Sequence, residues 1–395
     1  MKDLEHIYYF EHLLEDANNE LVRLASKNNT KIIGTTCSQV PEALLNLEGV
    51  CGVRLRAPRT SSLEMGTYYL TSLLCEFSRA LLERAIEGGY QFLDGIITPD
   101  GCTMMNRCVE NMELLKINDK KEFFYRYMEV PMKCDKNGLN LYINQCREKI
   151  LKTLNEIYNV DISDKALKKS VEIHNKVCNL IYKIGKYRKL DNPPITGHEL
   201  HIINLATQVV PKHLIIDKLE ETLKEIQSRK PDEKFKFRAR VCVVGSEVDD
   251  IDFTRIIEES GAYVCADRFC FGTLPDRLPI KLKSDNNILE QVCSHYINNC
   301  MCPRYMDTPK MNYRREYVND ICKRYKADGI IYQQMKFCDP WGYERMVGSH
   351  VMRDVYNYPV LTIDRPYVVG NSGQLRTRVQ AFVESIEIKK LQRGK

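Results

Sequence analysis

The sequence predicts an α/β protein built from two parallel-sheet lobes joined by a helical region. Three observations carry that expectation. The 395-residue, 46.0 kDa chain exceeds one ordinary core. Short apolar, β-branched runs alternate with stretches of helical period near the start and again after about residue 236. Between them lies a charged segment with helical periodicity and no strand signal.

The segment 1–30, "MKDLEHIYYFEHLLEDANNELVRLASKNN", reads as an amphipathic helix whose acidic residues exclude a signal peptide. The first lobe, 31–139, opens with the strand "KIIGTTC", which ends at Cys37. "SQVPEALLNLEG" predicts a helix capped by Ser38, with Pro41 and Glu42 in its first turn and Gly49 at its end. "CGVRLRAP" is a second strand, 72–87 a helix, "FLDGIITPDGC" a third strand ending at Cys102, and "TMMNRCVENMELLK" a helix. The connecting region, 140–235, contains helices with Asp161 and Ser163 as caps, a stop at "DNPP", and a polar linker "KPDEKFKFRA". The second lobe, 236–395, has strands ending at Gly245, crossing Cys265, ending at Cys338, and in "PVLTIDRP", then a closing helix "GQLRTRVQAFVESIEI".

A formal charge of +5, from 58 basic and 53 acidic residues, gives no argument for nucleic acid. No apolar run has the length of a membrane span, so the expected location is the cytoplasm. Sixteen cysteines then point to metal binding, or to packing as small hydrophobes, rather than to disulfides.

Cys37, Cys102 and Cys338 share one predicted position, the carboxyl end of a buried strand. Ligands of open α/β sheets bind there, so two facing lobes would bring these thiols to one cleft. Three sulfurs suit an iron–sulfur cube with one iron left open, and three unrelated packed thiols remain the alternative. Cys265, Cys270, Cys300 and Cys302 form a second group, read as structural thiols or as metal-chelating pairs. Glu42, five residues after Cys37, is either a carboxylate within reach of a bound substrate or a first-turn partner of the helix dipole.

Other motifs fall away. "GHELH" spaces His198 and His201 wrongly for a zinc protease and reads as a helix start with solvated polar residues. "VVGSEVDD" lacks the dinucleotide fingerprint, and no phosphate-binding G-x-x-x-x-G-K-[ST] occurs, so nucleotide hydrolysis must come from a partner.

The motifs "CSQVPEALL", "TPDGCTMMNR", "GSEVDD…IEESGAYVCADRFCFGT", "CPRY", "QQMKFCDPWGYE" and "GQLRTRVQAFVE" stand in the order found in the benzoyl-CoA reductase and 2-hydroxyacyl-CoA dehydratase family. This chain resembles that family from about Lys31 to Glu384. The resemblance implies two flavodoxin-like or Rossmann-like lobes with a [4Fe-4S] cluster in the cleft, held by Cys37, Cys102 and Cys338, with Trp341 shielding the last. It implies proton transfer by Glu42 and a substrate contact by Ser38, with Ala43 where many relatives carry a second glutamate. It also implies an acyl-CoA substrate, ketyl-radical chemistry in a dehydratase or aryl-CoA reductase, and an ATP-hydrolysing iron–sulfur activator. The partner subunit would be a homologue or a second copy.

Arg54, Arg56 and Arg59 are either contacts for the CoA phosphates or a solvated basic strand end. Two further readings follow from the same resemblance. One is a double-cubane [8Fe-9S] reductase of small molecules, drawing three more ligands from Cys108, Cys134, Cys146, Cys270, Cys300 and Cys302. The other is a non-catalytic electron-relay subunit.

Overall fold

The computed structural model describes residues 3–230, 237–274, 277–368 and 372–393, so part of the predicted polar linker lies outside the described residues. Within these residues, eight strands form two parallel sheets. In the first, β1 (Lys31–Thr35), β2 (Val50–Arg54), β3 (Gly95–Pro99) and β4 (Phe124–Met128) are ordered β2-β1-β3-β4. In the second, β5 (Ala239–Gly245), β6 (Ala262–Phe269), β7 (Gly329–Met335) and β8 (Val360–Arg365) repeat that order as β6-β5-β7-β8. Both lobes are therefore flavodoxin-like: in each, the chain reverses direction across the sheet beside its first strand.

Period-two alternation sorts the strand side chains into separate cores. Ile33 and Ile97 face an outer core of the first lobe, whereas Val241, Val243 and Ile331 face an outer core of the second. Their neighbours Ile32, Ile96, Cys242, Val244, Ile330 and Tyr332 all enter one central core, with Cys338 and Trp341 in it too. Burying each such Ile or Val contributes about 1.5–3 kcal/mol, so the shared core fixes how the lobes face one another.

The helical region follows the expected caps. Ser163 accepts from the Ala166 N–H and begins the long helix Asp164–Lys186. That helix packs on Lys212–Ser228 and on the turn after Cys37, where the Ser170 hydroxyl donates to the Ala43 carbonyl at 2.5 Å.

Four expectations are corrected. The N-terminal helix is two helices, Ile7–Leu14 and Glu20–Lys27, because Asn19 caps a new start by accepting from the Val22 N–H. The helix expected after Ser38 is one 3-10 turn, Glu42–Leu45, whose Ala43, Leu44 and Leu45 are all buried and leave no polar face. The helix expected over 72–87 starts later, as Glu76–Ile86 with Cys75 as its N-cap, and a separate helix not expected from the sequence, Glu64–Leu70, precedes it.

The "GHELH" start is a helix, Gly197–Ala206, but its polar side chains are buried. Glu199 closes a capping box with Thr196 and pairs with Arg229 at 2.9 Å, and His201 donates through Nε2 to the Val248 carbonyl and bonds the Thr254 hydroxyl through Nδ1. Replacing Thr196 with alanine removes one arm of that box. It is expected to cost about 1 kcal/mol, read as a lowered denaturation midpoint, and an unchanged midpoint would refute it.

Candidate functional site

The carboxyl ends of β1, β3, β5 and β7 meet at the interface between the lobes, and the thiols follow from strand register. Thr35, the last residue of β1, pairs with Ile97 of β3; Gly245, the last of β5, pairs with Gln333 of β7. Cys102 lies five residues beyond Ile97, and Cys338 lies five beyond Gln333. Each then begins a helix, Thr103–Leu114 and Asp339–His350, as its N-cap residue. Helix N-termini carry unpaired N–H groups and partial positive charge, which favour an anionic occupant. Phe337 holds a left-handed φ of 64° just before Cys338, a strain of order 1–3 kcal/mol that the surrounding fold maintains.

Cys102 and Cys338 are brought together around a third thiol. Cys75 hydrogen-bonds Cys338 and is an electrostatic neighbour of Cys102, with Cys108 buried behind them. Burial pushes the Cys102 thiol up to about 12, and the Cys338 thiol is raised by its hydrogen bond to Cys75 and by burial. Thiols so disposed ionise when a metal takes the proton's place.

Cys37 keeps different company. It lies 3.9 Å from the Gln39 side-chain oxygen and is an electrostatic neighbour of Cys270, Cys300 and Cys302. Of the second sequence group, Cys265 alone is apart, fully buried on β6 and bonded to the Val241 carbonyl at 3.3 Å. The loop carrying Cys300 and Cys302 is tied to the Cys338 helix through Arg314, which donates to the Cys302 carbonyl at 3.2 Å and to Glu344 at 2.8 Å.

Glu247 stands between the two thiol groups, acting electrostatically on Cys102, Cys270 and Cys338. Cys134 neighbours Cys300, while Cys146 hydrogen-bonds Cys293 away from the cleft. Among the described residues no group of three or more His, Cys, Asp or Glu side chains converges tightly enough to hold a single metal ion. A cube makes a different demand, since each thiolate takes its own iron and the sulfurs need not meet at one point.

Beside Cys37 lies a small cavity of about 20 Å³, lined by Thr35, Ser38, Glu42, Arg54 and Gln208 among others, with room for about one water. Two buried donors at this end, Gln39 Nε2 and Arg54 Nε, have no hydrogen-bond partner.

Glu42 is not a free carboxylate: Lys212 Nζ lies 2.7 Å from one oxygen and Arg277 Nε 3.0 Å from the other. Burial pushes its carboxyl up, but Arg277 and Lys212 outweigh burial and hold it well below the usual range. Its partners are thus two cations rather than a helix dipole. The solvated basic strand end is corrected as well. Arg54 is buried over the Phe271 ring, and Arg56 is spent on the backbone carbonyls of Leu14 and Asp249. Arg59 alone of the three is exposed, paired with Glu15 at 3.1 Å.

The 2-hydroxyglutaryl-CoA dehydratase D-component family matches residues 37–386, nearly the whole chain. The chain belongs to this family. Among its curated relatives, the (R)-phenyllactyl-CoA dehydratase beta subunit of Clostridium sporogenes is 24% identical over 389 residues, covering 95% of this chain and 97% of the relative. A benzoyl-CoA reductase subunit from Thauera aromatica is 22% identical over 334 residues, covering 82% of each chain. The (R)-2-hydroxyglutaryl-CoA dehydratase beta subunit of Acidaminococcus fermentans is 22% identical over 360 residues, covering 90% of this chain and 92% of the relative.

Within this family member, sequence reasoning passed over three site residues. Cys75 was hidden because its stretch read as a helix interior, and Lys212 and Arg277 because their only signal is spatial. Among the described residues no helix is long and apolar enough to cross a membrane.

Proposed function

We propose that the chain is the cluster-binding subunit of an oxygen-sensitive, ATP-activated 2-hydroxyacyl-CoA dehydratase or aryl-CoA reductase. The observation that carries this reading is the pair of strand-end thiols Cys102 and Cys338 at the lobe interface, joined to the Cys37 group through Glu247, with orphan donors at the Cys37 end and the family match along the chain. The donor set fits an iron–sulfur group: soft thiolates in apolar surroundings, ringed by N–H groups that suit sulfide. Cys37, Cys102 and Cys338 would hold a [4Fe-4S] cluster. Bound there, it would supply single low-potential electrons to an acyl-CoA thioester.

The chain's own residues bind, orient and exclude. Trp341, 2% exposed, packs in the core that contains Cys338 and keeps water from it. Ser38 and Glu42 border the small cavity beside Cys37. Glu42, held ionised, serves there first as a hydrogen-bond acceptor that orients a substrate hydroxyl. As a proton acceptor it is weak until a charge change loosens its cations. The relatives named as beta subunits support a partner subunit. The missing phosphate-binding motif is why the ATPase is assigned to a separate activator.

A second reading has an observation of its own. Cys75, Cys270 and Cys302 stand with the three proposed ligands, enough thiols for a double-cubane cluster.

Iron and acid-labile sulfide on anaerobically purified protein test both readings. About four irons per chain, lost on Cys102→Ala or Cys338→Ala, is the expected result. Iron near twice that value, lost on Cys75→Ala or Cys302→Ala, selects the larger cluster. Iron unchanged by any of these substitutions would remove the assignment.

A further inference from the structure

The two lobes repeat one strand order, and their cleft-facing ends can be compared position by position. Cys102 and Cys338 are equivalent, each five residues past the partner of the neighbouring strand's last residue. The same register makes Cys37, two residues past Thr35, equivalent to Glu247, two residues past Gly245. The residues between match in role. Thr36 bonds its hydroxyl to Thr98 of β3 at 2.8 Å, and the Ser246 hydroxyl accepts from the Met335 N–H of β7 at 2.5 Å.

Gly245 lets this turn form, because an added Cβ would lie 1.8 Å from the Gln333 carbonyl oxygen. The second lobe therefore presents a carboxylate where the first presents a thiol.

That carboxylate bonds its own backbone N–H and has Arg54 and Arg365 as cationic neighbours, but these leave part of it unmatched. The Glu247 backbone carbonyl accepts from Arg365 at 2.5 Å, but its side-chain Oε2 is buried without any hydrogen-bond partner. Leaving such an oxygen unpaired is unfavourable, and more so when it is charged. Cys102, Cys270 and Cys338 are all electrostatic neighbours of this carboxylate, so its unpaired oxygen belongs to the thiol cluster. A metal ion held by these thiols would give the unpaired oxygen a partner.

We infer that Glu247 is an oxygen ligand of the iron–sulfur site, completing with Cys37, Cys102 and Cys338 a set of four donors from four equivalent strand ends. The inference rests on the cluster reading above. A carboxylate is a harder donor than thiolate and binds iron of such a cluster less firmly. Glu247 would thereby shield an iron that the three thiolates leave open, and as the weaker donor it would give way to a substrate oxygen.

The test compares anaerobically reconstituted wild type with Glu247→Gln and Glu247→Ala, using iron content, the electron paramagnetic resonance spectrum of the reduced protein and the midpoint potential. Wild type without iron would sink the cluster reading itself, which separates that failure from failure of this inference. With iron present, both variants are expected to give a shifted spectrum and a more positive potential, since an anionic donor has gone. Acetate added to Glu247→Ala should restore the wild-type spectrum by refilling the oxygen position. Spectra superimposable on wild type, or shifted spectra that acetate leaves unchanged in the alanine variant, would overturn the assignment. Thermal melts of the apoproteins verify that both variants fold.

Discussion

Glu42→Gln is expected to cost the protein about 3–5 kcal/mol of folding stability. The carboxylate is 20% exposed, while Lys212 and Arg277 are 2% and 6% exposed. Glutamine keeps the shape and removes the charge, which leaves two buried cations without an anion and close to one another. The carboxyl sits far below its ordinary value when folded, so its stabilisation is complete above the unfolded carboxylate pKa and is lost progressively as pH falls from there through the folded value. Urea titration at neutral pH reads the loss directly. A second substitution, Lys212→Met, should return part of it, because one uncompensated cation is gone. A Glu42→Gln midpoint within error of wild type would show that the ion pairs contribute nothing. The result also governs how activity is assayed: rate loss on changing Glu42 means nothing about proton transfer until the folded fraction is known.

The strands that build the cleft were legible because each is buried on both faces and reads as a continuous apolar run, "KIIGT", "GIITP" and "GIIYQQM" being examples. Ends of such strands are where parallel sheets bind ligands, so Cys37, Cys102 and Cys338 could be placed without knowing the packing. β4 was missed. It is a half-exposed strand at the sheet edge, and the lysines before "FYRYM" masked its aromatic signal.

Chain-distant partners left no trace in the sequence. Arg277 is 235 residues from Glu42, and nothing in either neighbourhood signals the other. Glu247 was in view inside "GSEVDD", but its equivalence to Cys37 exists only in the register of paired strands.

Mild acid is expected to destabilise the protein well before its surface carboxylates protonate. Burial lowers His174 and His201 to about 3 and His198 to about 4, so all three are neutral when folded near neutrality. His201 suits that state: Nε2–H donates to the Val248 carbonyl at 3.0 Å, and Nδ1 lies 3.0 Å from the Thr254 hydroxyl. His174 sits beside Lys212 and Arg277, which oppose a third positive charge, while Glu42 favours one.

Since these folded values lie below that of free histidine, the unfolded chain binds more protons as pH falls through about 6.5, and stability drops with it. Glu258 works the other way, because burial raises its carboxyl to about 7 despite N–H donors from Gly197, His198 and Val264. Three histidines against one glutamate leave a net of about two protons, or about 2.7 kcal/mol per pH unit between pH 6 and 5. Against a total stability of about 5–15 kcal/mol, two such units are decisive. Urea midpoints should therefore be flat from pH 8 to 7 and fall steeply from 6.5 to 4.5, with a shallower fall in His201→Gln. A midpoint that holds steady to pH 5 would mean that the histidines accept protons without leaving the fold, and the neutral hydrogen bonds of helix Gly197–Ala206 would then have no part in acid stability.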